Sequence, residues 1–478
     1  MPERIDDCRL IVRRDTNRGM NTNVRIYANE YIAKYMERDR TLQQAVNATT
    51  LPGIVGDMLV MPDGHEGYGF PVGGVIAFDA VGGIVSPGIC GFDINCGVRI
   101  IKTNLEEKDL KPNIRQLADA LFKSVPSGVG SRMNTGMGAS DLDRIALEGA
   151  PFAISKGYGF AKDAEHMEES GCISGSDPDR VSDFAKKRGL HEVGTLGAGN
   201  HFLEVQKVEK VADQSMAKAF GLHEGMVVVM LHSGSRGYGH QICSDYLERL
   251  SEYQRKNGIK LVDPELSYAP IGSREADDYM AAMRCAVNFA FTNRQVMTDS
   301  IRKAFEQTFG KSADALGMEL LYDLAHNIVK EEEHVVDGAR HKLLVHRKGA
   351  TRAFGPGRDE IPRAYRDHGQ PVLIPGSMGT ASYVLSGRSE SLAETFGSSC
   401  HGSGRLMSRH QAIREIPAAK TLGSMSSKGV ELRVHNRSLV SEEAEWAYKD
   451  VDEVVACVAG AKISNIVARL VPLAVAKG

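Results

Sequence analysis

The chain has 478 residues, 42% of them hydrophobic, and a formal charge of −3 from 58 Lys and Arg against 61 Asp and Glu. That balance suits a globular core and gives no global electrostatic sign of nucleic-acid binding, so any such contact must come from a local basic surface. The eight cysteines include no Cys-x-x-Cys pair and do not read as a secreted disulfide framework.

The N-terminal Met-Pro-Glu-Arg-Ile-Asp-Asp lacks an apolar signal core, and no run approaches the roughly 18 apolar residues of a membrane span. A reducing, cytoplasmic, membrane-free setting is expected. Glu30 to Ala45 reads as one helix packed on the core. From Gly53 to Arg99 the chain is glycine-rich, with short apolar runs such as Gly74–Phe78 that suit buried strands joined by tight turns. Asp93 and Cys96 then fall on a turn entering a strand at Val98–Ile101. Lys111 to Lys123 reads as an amphipathic helix. Met226–Leu231 is a buried strand, with His232 where it opens into Ser-Gly-Ser-Arg-Gly. Glu275 to Phe309 carries a long helical pattern, and Ala313 to Glu333 a second one that places His326 on a helix. Leu343–Val345 and Pro371–Ile374 are further strands. Strands and helices do not alternate regularly, so the expected class is α+β rather than a doubly wound sheet. Candidate site residues run from Asp63 to Lys477, which makes residues 1–478 one catalytic body if they converge.

Asp93, Cys96, His201, His232 and His326 offer a carboxylate, a thiolate and imidazoles, a donor set able to hold metal ions. The three-residue step from Asp93 to Cys96 lets both side chains face one ion, and a bridging thiolate favours two ions. Ligand softness by itself points to zinc or iron. Each of these residues taken singly also fits an ordinary packing role. No Gly-x-x-x-x-Gly-Lys-Ser/Thr loop is present, nor the Lys-x-Asp-Gly of lysine-nucleophile nucleotidyltransferases. The glycine cluster Gly194–Gly199 leads straight into Asn-His-Phe-Leu-Glu and is not a dinucleotide loop. His401 lies in Ser-Cys-His-Gly-Ser-Gly-Arg, and an imidazole there can act as a nucleophile toward phosphorus. Gly402, Ser403 and Gly404 would let backbone N–H groups approach phosphate closely.

The segments Met61–His65, Ser86–Cys96, Gly197–Glu204, His232–Gly237, Ala325–Asn327, His346–Arg352, Pro375–Gly379, Cys400–Gly402 and Lys477-Gly478 closely resemble, in order and nearly end to end, the RNA-splicing ligase RtcB family. The resemblance implies an RtcB-like α+β fold with strands and helices around one central metal and nucleotide pocket. It implies two Mn2+ ions on the five metal-ligand candidates, and GTP as the nucleotide, held covalently as GMP on His401. It implies guanylate contacts at Asn200, His201, Phe202, Leu203, Glu204, His326, Asn327, Pro375, Gly376, Ser377, Met378, Ser382, His401, Gly402, Ser403, Gly404 and Lys477. Glu204 can accept from the guanine N1–H and amine, Lys477 can reach O6, and Phe202 and Tyr448 offer flat surface to the base. Asp63 is expected to orient the His401 imidazole.

The implied reaction joins RNA ends carrying a 2′,3′-cyclic phosphate or 3′-phosphate to 5′-hydroxyl ends, as in tRNA splicing and RNA repair. Arg236, Lys348, Arg352, Arg405 and Arg409 are candidates for gripping RNA phosphates. Expected partners are tRNA halves and the protein archease, and the expected state is a monomer. Two other readings compete: a binuclear metallophosphoesterase that never ligates, and a noncatalytic RNA binder that keeps its metal for stability.

Overall fold

The computed structural model describes residues 2–478. Its α+β body is built on two large sheets. One sheet orders its strands as Glu3–Asp6, Arg9–Val12, Val24–Tyr27, Met58–His65, Val72–Asp79, Ala339–Lys348 and Asn327–Val336. The other runs Leu320–Ala325, Gly97–Glu106, Met226–Ser233, Phe202–Val211, Ser464–Lys477, Ser382–Gly387 and Pro371–Ile374, with Glu431–Val434 pairing in parallel to Ser464–Lys477. Two short ribbons join Ala269–Pro270 to Ile84–Val85 and Ala350–Arg352 to Ser398–Cys400.

Side-chain alternation along the second sheet sorts the core. Val227, Val229, Leu231, Leu203 and Val205 face a helical layer centred on Arg274–Phe309. Val228, Met230 and Phe202 face the opposite way, into a separate apolar cluster with Val98, Ile100 and Tyr322. His232 follows the parity of Val228 and Met230, so it projects away from the helical layer. The first sheet packs over the strands Pro371–Ile374 and Ser382–Gly387 and the helix Val451–Gly460.

The long helix spans Arg274–Phe309, and the strand at 226 extends through Ser233. Lys111 to Lys123 forms its helix at Ile114–Ser124. Two expectations are corrected. Glu30 to Ala45 is two helices, Glu30–Met36 and Thr41–Ala48, because the Asp39 carboxylate accepts the Thr41 N–H at 2.9 Å and starts a new helix. The stretch Ala313 to Glu333 is not a helix: Leu320–Ala325 and Asn327–Val336 are strands, and His326 sits in the break between them. The cause lies just downstream. Asp337 and Gly338 both take positive φ, 50° and 82°, and turn Asn327–Val336 back onto Ala339–Lys348 as a hairpin.

Among the described residues, no helix is long and apolar enough to cross a membrane, and all eight cysteines are free thiols.

Candidate metal and nucleotide site

Four neighbouring strands bring the metal-ligand candidates together. Leu320–Ala325, Gly97–Glu106, Met226–Ser233 and Phe202–Val211 are consecutive and antiparallel. His326 follows the first, Cys96 precedes the second, His232 is near the end of the third and His201 precedes the fourth. End, start, end and start of antiparallel strands all lie at one sheet edge. Register fixes the match: Gly97 pairs with both Ala325 and Ser233, and Phe202 pairs with His232.

Cys96 Sγ stands 3.3 Å from His201 Nε2 and 3.2 Å from His232 Nε2. His201 Nε2 is 2.9 Å from Asp93 Oδ2, and His232 Nε2 is 3.3 Å from His326 Nε2. Cys96, His201 and His232 form a buried cluster whose ligand atoms lie close enough together to hold a metal ion. The donor set fits a cation. His201 Nδ1 faces the Leu196 carbonyl at 3.0 Å, and its Nε2 is aimed at the Asp93 carboxylate and the Cys96 sulfur. The Nε2 atoms of His232 and His326 face each other, and the buried Nδ1 of each ring has no hydrogen-bond partner. Burial holds the pKa of both these imidazoles well below 6.5, so they are neutral donors. Burial, with Asp93 adding to it, pushes the Cys96 thiol up; a divalent cation is what favours its thiolate. Burial alone would raise Asp93, but His201 beside it holds the carboxyl well below the usual range.

Sequence reasoning missed what holds this edge in place. Arg294, fully buried in the long helix, donates to the Asn95 carbonyl at 2.9 Å and the Ser233 carbonyl at 3.0 Å, and pairs with Asp323 at 2.7 Å. Arg99 shares Asp323 at 2.6 Å. One guanidinium thus ties the Asp93–Cys96 turn, the end of the His232 strand and the strand leading to His326. Its sequence signal is a run of polar residues (Asn293, Arg294, Gln295, Thr298) in the buried middle of the long helix, just after the apolar Phe289-Ala290-Phe291. Asn327 adds a second tie: its Nδ2 donates to the Asp93 carbonyl at 3.0 Å, and its Oδ1 accepts the Gly349 N–H at 2.8 Å.

His401 follows the strand Ser398–Cys400, and its ring lies 4.8 Å from that of His326. Asp63 comes from Met58–His65 in the other sheet. Its Oδ2 accepts from His401 Nδ1 at 2.5 Å and from the backbone N–H groups of His401 and Gly402 at 2.9 and 3.1 Å. Burial by itself would raise the Asp63 pKa, but His401 and these N–H donors outweigh it and the net direction is down. With Nδ1–H committed to Asp63, His401 Nε2 carries the free lone pair. Gly404, at φ +74°, crosses so close to the Asp63 backbone that a Cβ would lie 2.0 Å from the Asp63 carbonyl oxygen. Beneath Asp63, the buried ammonium of Lys449 donates to the carbonyls of Pro62 and Gly64 on either side, and burial lowers its pKa to about 8. Sequence reasoning did not single out Lys449.

A pocket opens between His401 and the metal cluster. Asn200, Phe202, Asn327, Pro375, Gly376, Ser377, Met378, Gly402, Ser403, Gly404, Tyr448 and Lys477 line it, together with Asp93, Cys96, His232 and His326. His65, Val72, Gly91 and Phe92 line it as well and were not foreseen. Lys477 closes the strand Ser464–Lys477 and is buried, its ammonium 3.3 Å from Glu443 and 5.7 Å over the Phe202 ring. Glu443, also unforeseen, accepts from Arg405 at 3.1 Å and from the Tyr448 hydroxyl. Nothing in Ser-Glu-Glu-Ala-Glu-Trp distinguishes it from its neighbouring glutamates. Glu204 is buried behind the pocket, bonded to Gln206 at 2.7 Å; Gln206 also donates to Ser382, which accepts the Gly376 N–H at 3.1 Å. Burial pushes the Glu204 carboxyl up to about 7.

Three of the candidates have side chains engaged elsewhere in the protein. Leu203 points into the helix-side core, because strand alternation sends it opposite to Phe202 and Glu204. Arg352 is only 2% exposed and is held by Glu169 at 3.0 Å and Gln370 at 3.2 Å, so its guanidinium is closed off from RNA. Lys348 lines the pocket, and its ammonium donates to the carbonyls of Tyr68 and Gly88 at 2.7 and 3.0 Å. Arg405 and Arg409 line the pocket. Arg236 lies against Gly197, whose φ of +97° and missing Cβ make room for the guanidinium.

An α+β protein with a buried thiol–imidazole cluster able to hold a metal ion, and a carboxylate-held histidine beside it, is the class these features define. Residues 44–478 match the family model described as tRNA-splicing ligase RtcB. A tRNA-splicing ligase RtcB of Thermococcus kodakarensis is 52% identical over 476 residues, covering 100% of this chain and 98% of its own. That of Archaeoglobus fulgidus is 53% identical over 460 residues, 96% of this chain and 95% of its own. That of Aeropyrum pernix is 48% identical over 477 residues, 99% of each. The chain belongs to the tRNA-splicing ligase RtcB family.

Proposed function

We propose that this protein is a GTP- and manganese-dependent RNA ligase that joins 2′,3′-cyclic phosphate or 3′-phosphate ends to 5′-hydroxyl ends, acting in tRNA splicing and RNA repair. The observation that supports this most is the free Nε2 of His401, set by the Asp63 carboxylate beside the thiolate–imidazole cluster. Asp93, Cys96, His201, His232 and His326 would hold the Mn2+ ions. When bound, the ions would neutralise phosphate charge and favour the leaving group.

His401 Nε2 attacks the α-phosphorus of GTP; an N–P bond forms, the bond to the bridging oxygen breaks, and pyrophosphate leaves. Asp63 keeps the Nδ1 proton and balances the positive charge that develops on the ring. Water opens any cyclic phosphate to the 3′-phosphate. An oxygen of that phosphate then attacks the GMP phosphorus, the N–P bond breaks and the imidazole is released. The RNA 5′-hydroxyl attacks the activated 3′-phosphorus, loses its proton, and GMP departs as the phosphodiester forms. Glu204 and Lys477 favour guanine at the far end of the pocket, and backbone N–H groups of Gly402–Gly404 face the phosphate. Phosphoryl transfer of this kind depends on placement and charge more than on covalent help from the protein.

Labelled GTP with Mn2+ is expected to give an acid-labile GMP adduct that maps to His401. His401→Ala should abolish it while the fold is kept. Cys96→Ala should lose metal and adduct together. Adduct formation by His401→Ala would remove that residue as nucleophile. Phosphoesterase activity without any adduct would replace the ligase reading.

A further inference from the structure

Three aromatic side chains line up at the pocket mouth on the metal side. Phe92, next in sequence to Asp93, lines the pocket. The His240 ring stacks on it at 4.9 Å, and the Tyr68 ring meets it edge-on at 5.5 Å. His240 is exposed, on the helix that Arg236 begins. Tyr68 is 59% exposed and is the outermost ring.

An exposed aromatic on a loose loop would mean little. The backbone beneath Tyr68, however, is fixed from three sides. Its carbonyl accepts the buried Lys348 ammonium at 2.7 Å and the Phe70 N–H at 2.6 Å. Gly69, at φ +60°, packs so tightly on Glu265 that an added Cβ would lie 2.5 Å from the Glu265 Cβ. A buried lysine thus holds up an open tyrosine face that leads directly to the metal edge. Every base has a π-face, and aromatic platforms beside basic groups suit single-stranded nucleic acid. Arg236 opens the helix that carries His240, one turn before it, and adds a cation on that helix.

We infer that Tyr68, backed by Phe92 and His240, is a stacking platform for the unpaired nucleobase next to the RNA end being joined. The inference rests on the ligase reading above and assigns it a base-binding subsite distinct from the guanine position. The base belongs to either the 3′-phosphate strand or the 5′-hydroxyl strand, and the experiment separates the two.

The test places 2-aminopurine at the terminal nucleotide of one strand, then of the other. One probe should be quenched on binding to the unaltered protein, unquenched with Tyr68→Ala and quenched again with Tyr68→Phe. For that strand, Tyr68→Ala should raise the RNA KM roughly 10-fold, while GMP adduct formation without RNA stays unchanged. An abasic nucleotide at the same position should erase the difference between Tyr68→Ala and the unaltered protein. Unchanged quenching in Tyr68→Ala, no quenching of either probe, or an unchanged RNA KM would each overturn the platform. An unaltered protein that neither forms the adduct nor joins ends would overturn the ligase reading itself.

Discussion

Asp63 Oδ2 lies 2.5 Å from His401 Nδ1, across 338 positions of sequence, and accepts the His401 and Gly402 backbone N–H groups as well. A single carboxylate therefore fixes the ring, its tautomer and the chain on which it sits.

Asp63→Asn keeps the size but removes the charge that balances the ring. Adduct formation in a single turnover should slow by at least about 100-fold, within the usual span of acid–base contributions. Because the Asp63 pKa is lowered in the fold, its stabilising contact is complete above an ordinary Asp pKa near 4 and is lost as pH falls through the depressed value. Acid unfolding of Asp63→Asn should lack that component.

Glu204, raised to about 7, behaves in the opposite sense. A guanine N1–H and amine require its ionised form. GTP binding should therefore weaken roughly 10-fold from pH 8 to pH 6, as the ionised fraction follows a pKa of about 7. The fold favours the protonated carboxyl, so stability should decline as pH rises from about 4.5 to about 7. Glu204→Gln should flatten both profiles and reduce the preference for GTP over ATP, read by equilibrium binding at each pH.

Arg294→Ala takes one of its two guanidinium partners from Asp323, leaving Arg99, and removes a donor from two buried carbonyls. Breaking a buried pair by removing one partner costs about 3–5 kcal/mol. Denaturant unfolding should show that loss, and emission spectrometry should show less bound metal. Arg294→Lys retains the charge but not the forked donors, and should fall between the two.

Glu443→Gln weakens the shared anchor of Lys477, Arg405 and Tyr448. The KM for GTP should rise by about 10-fold, the scale of one lost hydrogen bond between charged groups. The rate of adduct formation at saturating GTP should change far less, because His401 and Asp63 are untouched.

The helix Arg274–Phe309 and the strands Met226–Ser233 and Pro371–Ile374 are legible because their pattern is local and long or strongly apolar. Leu320–Val329 was misleading: Leu-Leu-Tyr-Asp-Leu-Ala-His-Asn-Ile-Val satisfies a helical period as well as a pleated one, and only the partner strands, Gly97–Glu106 for Leu320–Ala325 and Ala339–Lys348 for Asn327–Val336, decide between them. Arg352 and Leu203 sit in motif segments beside pocket residues, yet strand parity and the acidic pair Glu168 and Glu169 turn them inward.

Residue chemistry and segment order are properties of the chain, and they determined the family, the α+β class and the donor types at Asp93, Cys96, His201, His232, His326 and His401. Proximity is not a property of the chain. Antiparallel register brought the ends of four strands to one edge, the meeting of two sheets put Asp63 under His401, and burial gave Arg294, Glu443 and Lys449 their roles. Those effects depend on side chains hundreds of positions apart excluding water together, which no local pattern of residues encodes.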